Sequence, residues 1–268
     1  LYAVWKENTY NISFDTNGGS FMDPIQAKYD NNISTINIPT RKGYNFLGFF
    51  TVKNGKGTKY YNEDGTSTIT YRTTNDINLY AYWTPIHYNI ELYSNGSYVG
   101  VIKNVEYGKL NLPSNTELKI YKNNFNFVGW NIYDDQNWSM YNANKDYTVG
   151  LATGDGDTII LYASWIEKNI YTISYDANGG VGAPQMTQAH EDETITLSNI
   201  TPSRKNYTFI GWSTSSNATL ASYYPSDEFT MGNEVVTLYA IWKNNPSLSY
   251  SANGGTFTNA PSPLYPCI

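Results

Sequence analysis

Cysteine, histidine and charge are all scarce in this chain of 268 residues. Cys267 is the one cysteine, so no disulfide can close within the chain; a sharper role for the thiol would be a bond to something outside it. Two isolated histidines, His87 and His190, without cysteine partners make no familiar zinc site. Charged residues are only 15% of the total and the net charge is −6. A mildly acidic chain without a Lys/Arg cluster lacks the phosphate neutralisation on which nucleic-acid affinity rests, so no nucleic-acid partner is expected. No apolar run approaches the ~20 residues of a membrane-spanning helix, and no signal peptide opens the sequence. Nucleophile elbows, phosphate loops and paired cysteine motifs are missing as well. These absences leave no enzymatic chemistry, metal or cofactor to expect.

Aromatic residues, by contrast, make up 16% of the chain, 26 of them Tyr. A buried aromatic removes ~150–250 Å² from water, so a few per module can sustain a small core without disulfides or metal. They recur in order. LYAVW, LYAYW, LYASW and LYAIW end at Trp5, Trp83, Trp165 and Trp242, spaced 78, 82 and 77 residues apart. Opening segments recur as YNISFDTNGG from Tyr10, YNIELYSNGS from Tyr88, YTISYDANGG from Tyr171 and LSYSANGG from Leu248. Between them stand GYNFLGF from Gly43, NFNFVGW from Asn124 and NYTFIGW from Asn206. Three motifs in one order at one period identify a tandem repeat. The expected divisions are 1–5 as the end of a preceding repeat, 6–84, 85–167 and 168–243 as complete repeats, and 244–268 as the start of a further one. Units of this size fold alone but bury only about 60% of their unfolded surface.

Each motif reads as strand. Tyr10, Ile12 and Phe14 alternate with Asn11 and Ser13, the period of a half-buried strand. Leu79, Ala81 and Trp83 share one face of the closing strand while Tyr80 and Tyr82 take the other. Asn-Gly after the opening strand signals a turn, because both residues tolerate positive φ; Gly18-Gly19 and Gly179-Gly180 precede no helix pattern and read as hairpin turns. Residues 33–39 and 195–202 read as strands stopped by proline. One helical turn is expected near residues 225–231, started by Ser226-Asp-Glu. The fold class is therefore a β-rich α+β array of small repeats, each a mixed sheet with at most one short helix.

The order Tyr-x-Ile-x-Phe-Asp-x-Asn-Gly-Gly, Gly-Tyr-x-Phe-x-Gly-Trp, Leu-Tyr-Ala-x-Trp resembles the Listeria–Bacteroides repeat, the B-repeat of internalin-type surface proteins. The first and third repeats match closely. The second has Asn95-Gly-Ser in place of the double glycine and Asn124-Phe in place of Gly-Tyr, and the first has Phe49 in place of the motif Trp. The resemblance implies β-grasp-like domains in stalks of secreted or wall-anchored bacterial adhesins, with no catalytic residue.

Candidate positions follow. Trp5, Trp83, Trp165 and Trp242 close the strands, and Phe49, Trp130 and Trp212 hold one recurring aromatic position, as core residues do. Trp138 belongs to the second repeat alone and is the better candidate for an exposed contact. The acidic stretch Thr153-Gly-Asp-Gly-Asp157 lacks the remaining ligands of a calcium loop and reads as a solvated turn. Joints of about five residues, with Pro85 and Pro246 in two of them, leave little freedom between modules. The leading functional reading is a cell-surface or secreted spacer; the alternatives are an adhesive module for a host protein or glycan, and self-association into a filament.

Overall fold

A computed structural model of the chain describes residues 1–4, 6–247 and 253–255. Trp5, Cys267 and the segment from Leu248 to Ala252 lie outside the described residues. The first repeat forms β1 (Thr9–Asp15), β2 (Ile25–Lys28), β3 (Tyr44–Val52), β4 (Lys56–Tyr61) and β5 (Ile77–Pro85). The second forms β6 (His87–Ser94), β7 (Ser97–Glu106), α1 (Asn115–Leu118), β8 (Phe125–Asn131) and β9 (Thr158–Glu167). The third forms β10 (Ile170–Asp176), β11 (Thr187–His190), β12 (Thr194–Thr196), β13 (Tyr207–Ser213), β14 (Glu228–Thr230) and β15 (Val236–Asn244).

One strand order recurs. The sheets run β2-β1-β5-β3-β4, β7-β6-β9-β8 and β11-β10-β15-β13. Each closing strand is thus central, lying parallel to its own opening strand, with Phe14 opposite Leu79, Leu92 opposite Leu161 and Tyr175 opposite Leu238. A parallel pair needs a long crossover, and the chain between opening and closing strands supplies it. The mixed sheets and near absence of helix match the expected class and are compatible with a β-grasp-like arrangement.

The third strand carries the feature that organises the core. Phe46 stands opposite Trp83, but Gly48, two residues on, stands opposite Tyr82. The same slip separates Phe209 opposite Trp242 from Gly211 opposite Ile241. One extra residue against the partner strand is a β-bulge, and it flips the alternation of everything after it. Phe46 and Phe49, three apart, consequently share the inner face, with ring centroids 5.1 Å apart. Phe127 with Trp130 and Phe209 with Trp212 do likewise at 5.6 and 4.9 Å. The closing tryptophan completes each trio, at 5.3 Å from Phe46, 5.4 Å from Phe127 and 5.8 Å from Phe209.

Glycine is needed at the bulge for two reasons. Gly48, Gly129 and Gly211 have φ of 122°, 134° and 135°, which L side chains rarely adopt. A Cβ there would also fall 2.3 Å from the Tyr61 carbonyl oxygen, 2.5 Å from that of Tyr141 and 2.7 Å from that of Tyr223. Those carbonyls belong to the next strand segment, which folds closely over the bulge. The Trp130 carbonyl accepts from both Met140 and Tyr141 N–H, and the Trp212 carbonyl from both Ser222 and Tyr223.

Contacts group the described chain into two compact units. One holds Leu1–Lys122 and Phe127–Ile166; the other holds Asn123–Asn126 and the described residues from Glu167 onward. The first two repeats therefore share a unit, and their joint is packed.

Three local expectations are corrected. The residues around Ser226 form no helix: Ser226 has φ 69°, Asp227 Oδ2 accepts from Tyr224 N–H to close a turn, and β14 follows. The short helix is α1 instead, where Ser114 and Glu117 make a reciprocal capping box. Residues 34–40 are irregular, and only Thr194–Thr196 of the stretch 195–202 and its flank is strand. Short pairings replace the expected strands: β12 pairs β14, and bridges join Asn32 to Thr70 and Leu110 to Tyr147. Finally, the double glycine ends a β-turn, closed by Gly19 N–H on the Thr16 carbonyl, and a further loop precedes β2. The direct hairpin occurs in the second repeat, where Ser94 pairs Ser97 across Asn95-Gly96.

Gly211→Ala should destabilise the third repeat by about 1–3 kcal/mol, from overpacking and strained φ together. Gly232, whose Cβ would meet nothing within 4 Å, supplies the control. Urea unfolding followed by tryptophan fluorescence reads both; equal midpoints for the two Ala variants would show that the bulge needs no glycine.

Candidate functional site

The recurring residues gather at the end of each sheet where the opening strand turns over the closing tryptophan. Trp83 Nε1 donates to the Thr16 carbonyl at 2.9 Å, and Trp242 Nε1 to the Ala177 carbonyl at 3.0 Å. The second glycine of each pair makes room: a Cβ on Gly19 or Gly180 would lie 2.6 Å from the indole ring below it. Above the first glycine sits an arginine. Arg41 and Arg204 stand over Gly18 and Gly179, stack on Tyr44 and Tyr207 at 3.9 and 4.0 Å, and Arg204 donates to the Asn178 carbonyl. Double glycine, tryptophan and arginine thus form one cap in the first and third repeats.

The second repeat has no such cap. Its tight hairpin at Asn95-Gly96 leaves Trp165 Nε1 buried with no partner among the described residues. Trp83 and Trp165 are both 7% exposed, whereas Trp242 is half-buried. Phe49, Trp130 and Trp212 are fully buried. Trp130 Nε1 donates to the Pro113 carbonyl at 2.8 Å, while Trp212 Nε1 has no partner among the described residues.

Trp138 stands apart from these. It is 48% exposed on a loop that leaves the sheet after β8. Asn131, fully buried, closes that loop at both ends, accepting from Tyr133 N–H through Oδ1 and donating to the Trp138 carbonyl through Nδ2. Ile132 and Tyr133 on the same loop are exposed too.

The acidic stretch serves its own backbone. Asp157 Oδ2 accepts from Thr153 and Gly154 N–H at 3.1 and 2.7 Å, and Asp155 Oδ1 accepts from His87 N–H at 2.7 Å. Asp76 plays the corresponding part in the first repeat, accepting from Asn11 N–H at 2.7 Å. These carboxylates clamp a loop onto an opening strand. His190 lies between Glu193 and Glu167, at 3.2 and 3.3 Å. Among the described residues no group of three or more His, Cys, Asp or Glu is placed to hold a metal ion, and no helix is long and apolar enough to cross a membrane.

The profile of the Listeria-Bacteroides repeat domain matches residues 10–82 and again 171–241. The chain belongs to the Listeria-Bacteroides repeat family. The two matched stretches are the two capped repeats; the uncapped second repeat lies between them. Two relatives from Evansella cellulosilytica align along nearly the whole chain. One, provisionally named a membrane protein, is 32% identical over 255 residues, which is 93% of this chain and 35% of its own length. The other, provisionally named a Gly-rich membrane protein, is 30% identical over 263 residues, 96% of this chain and 27% of its own length. The chain spans about a third of the first and about a quarter of the second.

One recurring position in these Listeria-Bacteroides repeats escapes a reading by motif. Tyr61, Tyr141 and Tyr223 each lie over the bulge, in segments whose flanks share no obvious pattern. Only the alignment of the preceding Gly-aromatic pairs would have exposed them. Tyr61 is fully buried, its hydroxyl has no partner among the described residues, and burial pushes its pKa up to about 12 from 10.0. The neutral phenol is favoured in the folded state, so this stabilisation is complete below pH 10 and is lost as pH rises from about 10 toward about 12. Tyr61→Phe should change stability at neutral pH by no more than about 1 kcal/mol, in either direction, because an orphaned hydroxyl is removed. Urea midpoints at neutral and strongly alkaline pH provide the check. The variant is expected to lose less stability than the unchanged chain; an identical loss would place the Tyr61 hydroxyl in water.

Proposed function

We propose that this chain is a run of spacer modules, a non-catalytic stalk in the extracellular part of a bacterial surface protein. The observation that carries the reading is which residues recur. Ile12, Ile90 and Ile173 are buried, as are Leu79, Leu161 and Leu238 and the aromatics Phe49, Trp130 and Trp212. Turn and bulge glycines recur as well, with a covering arginine in two repeats, and so does one half-buried tyrosine on the opposite face of the closing strand, Tyr80, Tyr162 and Tyr239. Outward positions of the opening strand hold small or polar residues that differ in one copy of the three, Asn11, Asn89 and Thr172 at one position and Ser13, Glu91 and Ser174 at the next. A multivalent binding surface would keep its exposed residues from copy to copy, whereas a spacer needs only its fold. The provisional naming of both Evansella relatives as membrane proteins supports a place at the cell envelope.

A second reading has its own observation. The loop carrying Trp138, Tyr133 and Ile132 displays three exposed apolar side chains, among them a tryptophan that the other repeats lack, which suits adhesion to a host protein or glycan through that repeat.

The two readings differ in what they ask of overall shape. Three modules of roughly 30 Å in line give a maximum dimension on the order of 100 Å by small-angle scattering, and this is the expected result. A radius of gyration near ~18 Å, the value for one compact body of this length, would overturn the spacer reading.

A further inference from the structure

The joint between the first two repeats turns on one tyrosine. Ile86, fully buried, donates its N–H to the Gly43 carbonyl at 3.0 Å, and its own carbonyl accepts from Tyr107 N–H at 2.9 Å. The Tyr107 ring then lies between two glycines. A Cβ on Gly43 would fall 2.3 Å from it, and one on Gly150 would fall 2.0 Å from it. Tyr44 meets the same ring edge-on at 5.9 Å. Gly43 therefore has a task beyond its turn: it is the seat on the first repeat for an aromatic ring of the second.

The first repeat presents the same ring at its own leading end. In register, Tyr29 is the counterpart of Tyr107, because Tyr29 N–H donates to the Asn8 carbonyl as Tyr107 N–H donates to that of Ile86. Tyr10 pairs Ala27 just as Tyr88 pairs Val105. Tyr29 is 49% exposed and lines a shallow groove with Glu7, Asn8, Tyr10 and Thr74. The joint lengths agree as well. Tyr10 follows Trp5 by five residues, as Tyr88 follows Trp83, whereas Tyr171 follows Trp165 by six. In the third repeat, behind the longer joint, the counterpart of Tyr29 is Glu191, and the strand-opening residue before it is Asn124 rather than Gly.

We propose that Tyr29 and its groove are the docking face for the repeat that precedes it in the same polypeptide, the one whose closing motif is LYAVW. The ring seats on the residue that opens that repeat's third strand, and the close approach of Tyr107 to Gly43 requires this residue to be glycine. The inference rests on the repeats being consecutive in one chain and is independent of the spacer reading.

The test compares the chain beginning at Leu1 with the natural polypeptide carrying the upstream repeat. Both are treated with tetranitromethane, and nitration of each tyrosine is followed by mass spectrometry. Tyr121, 82% exposed, marks the unprotected rate, and the half-buried Tyr107 marks the rate of the same ring in a formed joint. Tyr29 should react at a rate near that of Tyr121 in the shorter chain. In the longer chain it should react roughly tenfold more slowly, the protection that a local opening free energy of about 1.4 kcal/mol gives. Equal Tyr29 rates in the two chains would overturn the proposal, as would a bulky side chain at the upstream counterpart of Gly43.

Discussion

Every repeat depends on three aromatic rings meeting on one face of its sheet. Strand geometry alone forbids this: residues three apart, such as Phe46 and Phe49, belong on opposite faces of a regular strand. The bulge glycine removes the obstacle by inserting one residue, and the closing tryptophan then packs on the first ring of the pair. Because the closing strand is central, its tryptophan also fixes where the opening strand can end. Ile12, Ile33, Tyr61, Tyr71 and Leu79 pack with the trio into one buried core in the first repeat, and a unit of this size is held by that core.

Variation among the repeats follows the same logic. Where a double glycine follows the opening strand, it caps the tryptophan, satisfies the indole N–H and is covered by an arginine. In the second repeat all of these parts change together: the turn is a tight hairpin, Trp165 Nε1 has no partner among the described residues, and no arginine stands in the repeat. The hairpin feeds a ten-residue β7 instead of a four-residue second strand, so longer pairing along the edge accompanies the lost cap. The family profile matches the capped repeats up to the residue before each closing tryptophan, and the hairpin lies outside both matched stretches.

Much of this was legible in the residues. Alternation in YNISF and LYAYW marks the two strands that end up paired in parallel, and the period marks the modules. The weaker readings share a physical cause. Pro39 and Pro202 read as the ends of strands, but no strand runs up to either: residues 34–40 are irregular and β12 ends at Thr196, because these segments are held by one or two bridges and side-chain turns rather than by a ladder, and local propensity cannot count hydrogen bonds. Ser226-Asp-Glu resembles a helix start because Asp227 does cap a turn; the turn is simply not continued. The bulge itself is hidden in Phe-x-Gly-Trp, where regular alternation would have sent the second aromatic outward. Trp138 shows the converse: its failure to recur points to an exposed position, since a residue absent from the other modules cannot belong to their common core.

The recurring position needs a buried ring and nothing more specific. Trp212 tests it most directly, since its indole N–H has no partner among the described residues and the first repeat carries Phe49 there. Replacing Trp212 by Phe and by Ala, and measuring the unfolding free energy of the third repeat for each, separates ring from polarity. The expected loss is below about 1.5 kcal/mol for Phe, a volume change offset by removal of an orphaned donor, and about 3–5 kcal/mol for Ala. A Phe variant as unstable as the Ala variant would contradict it.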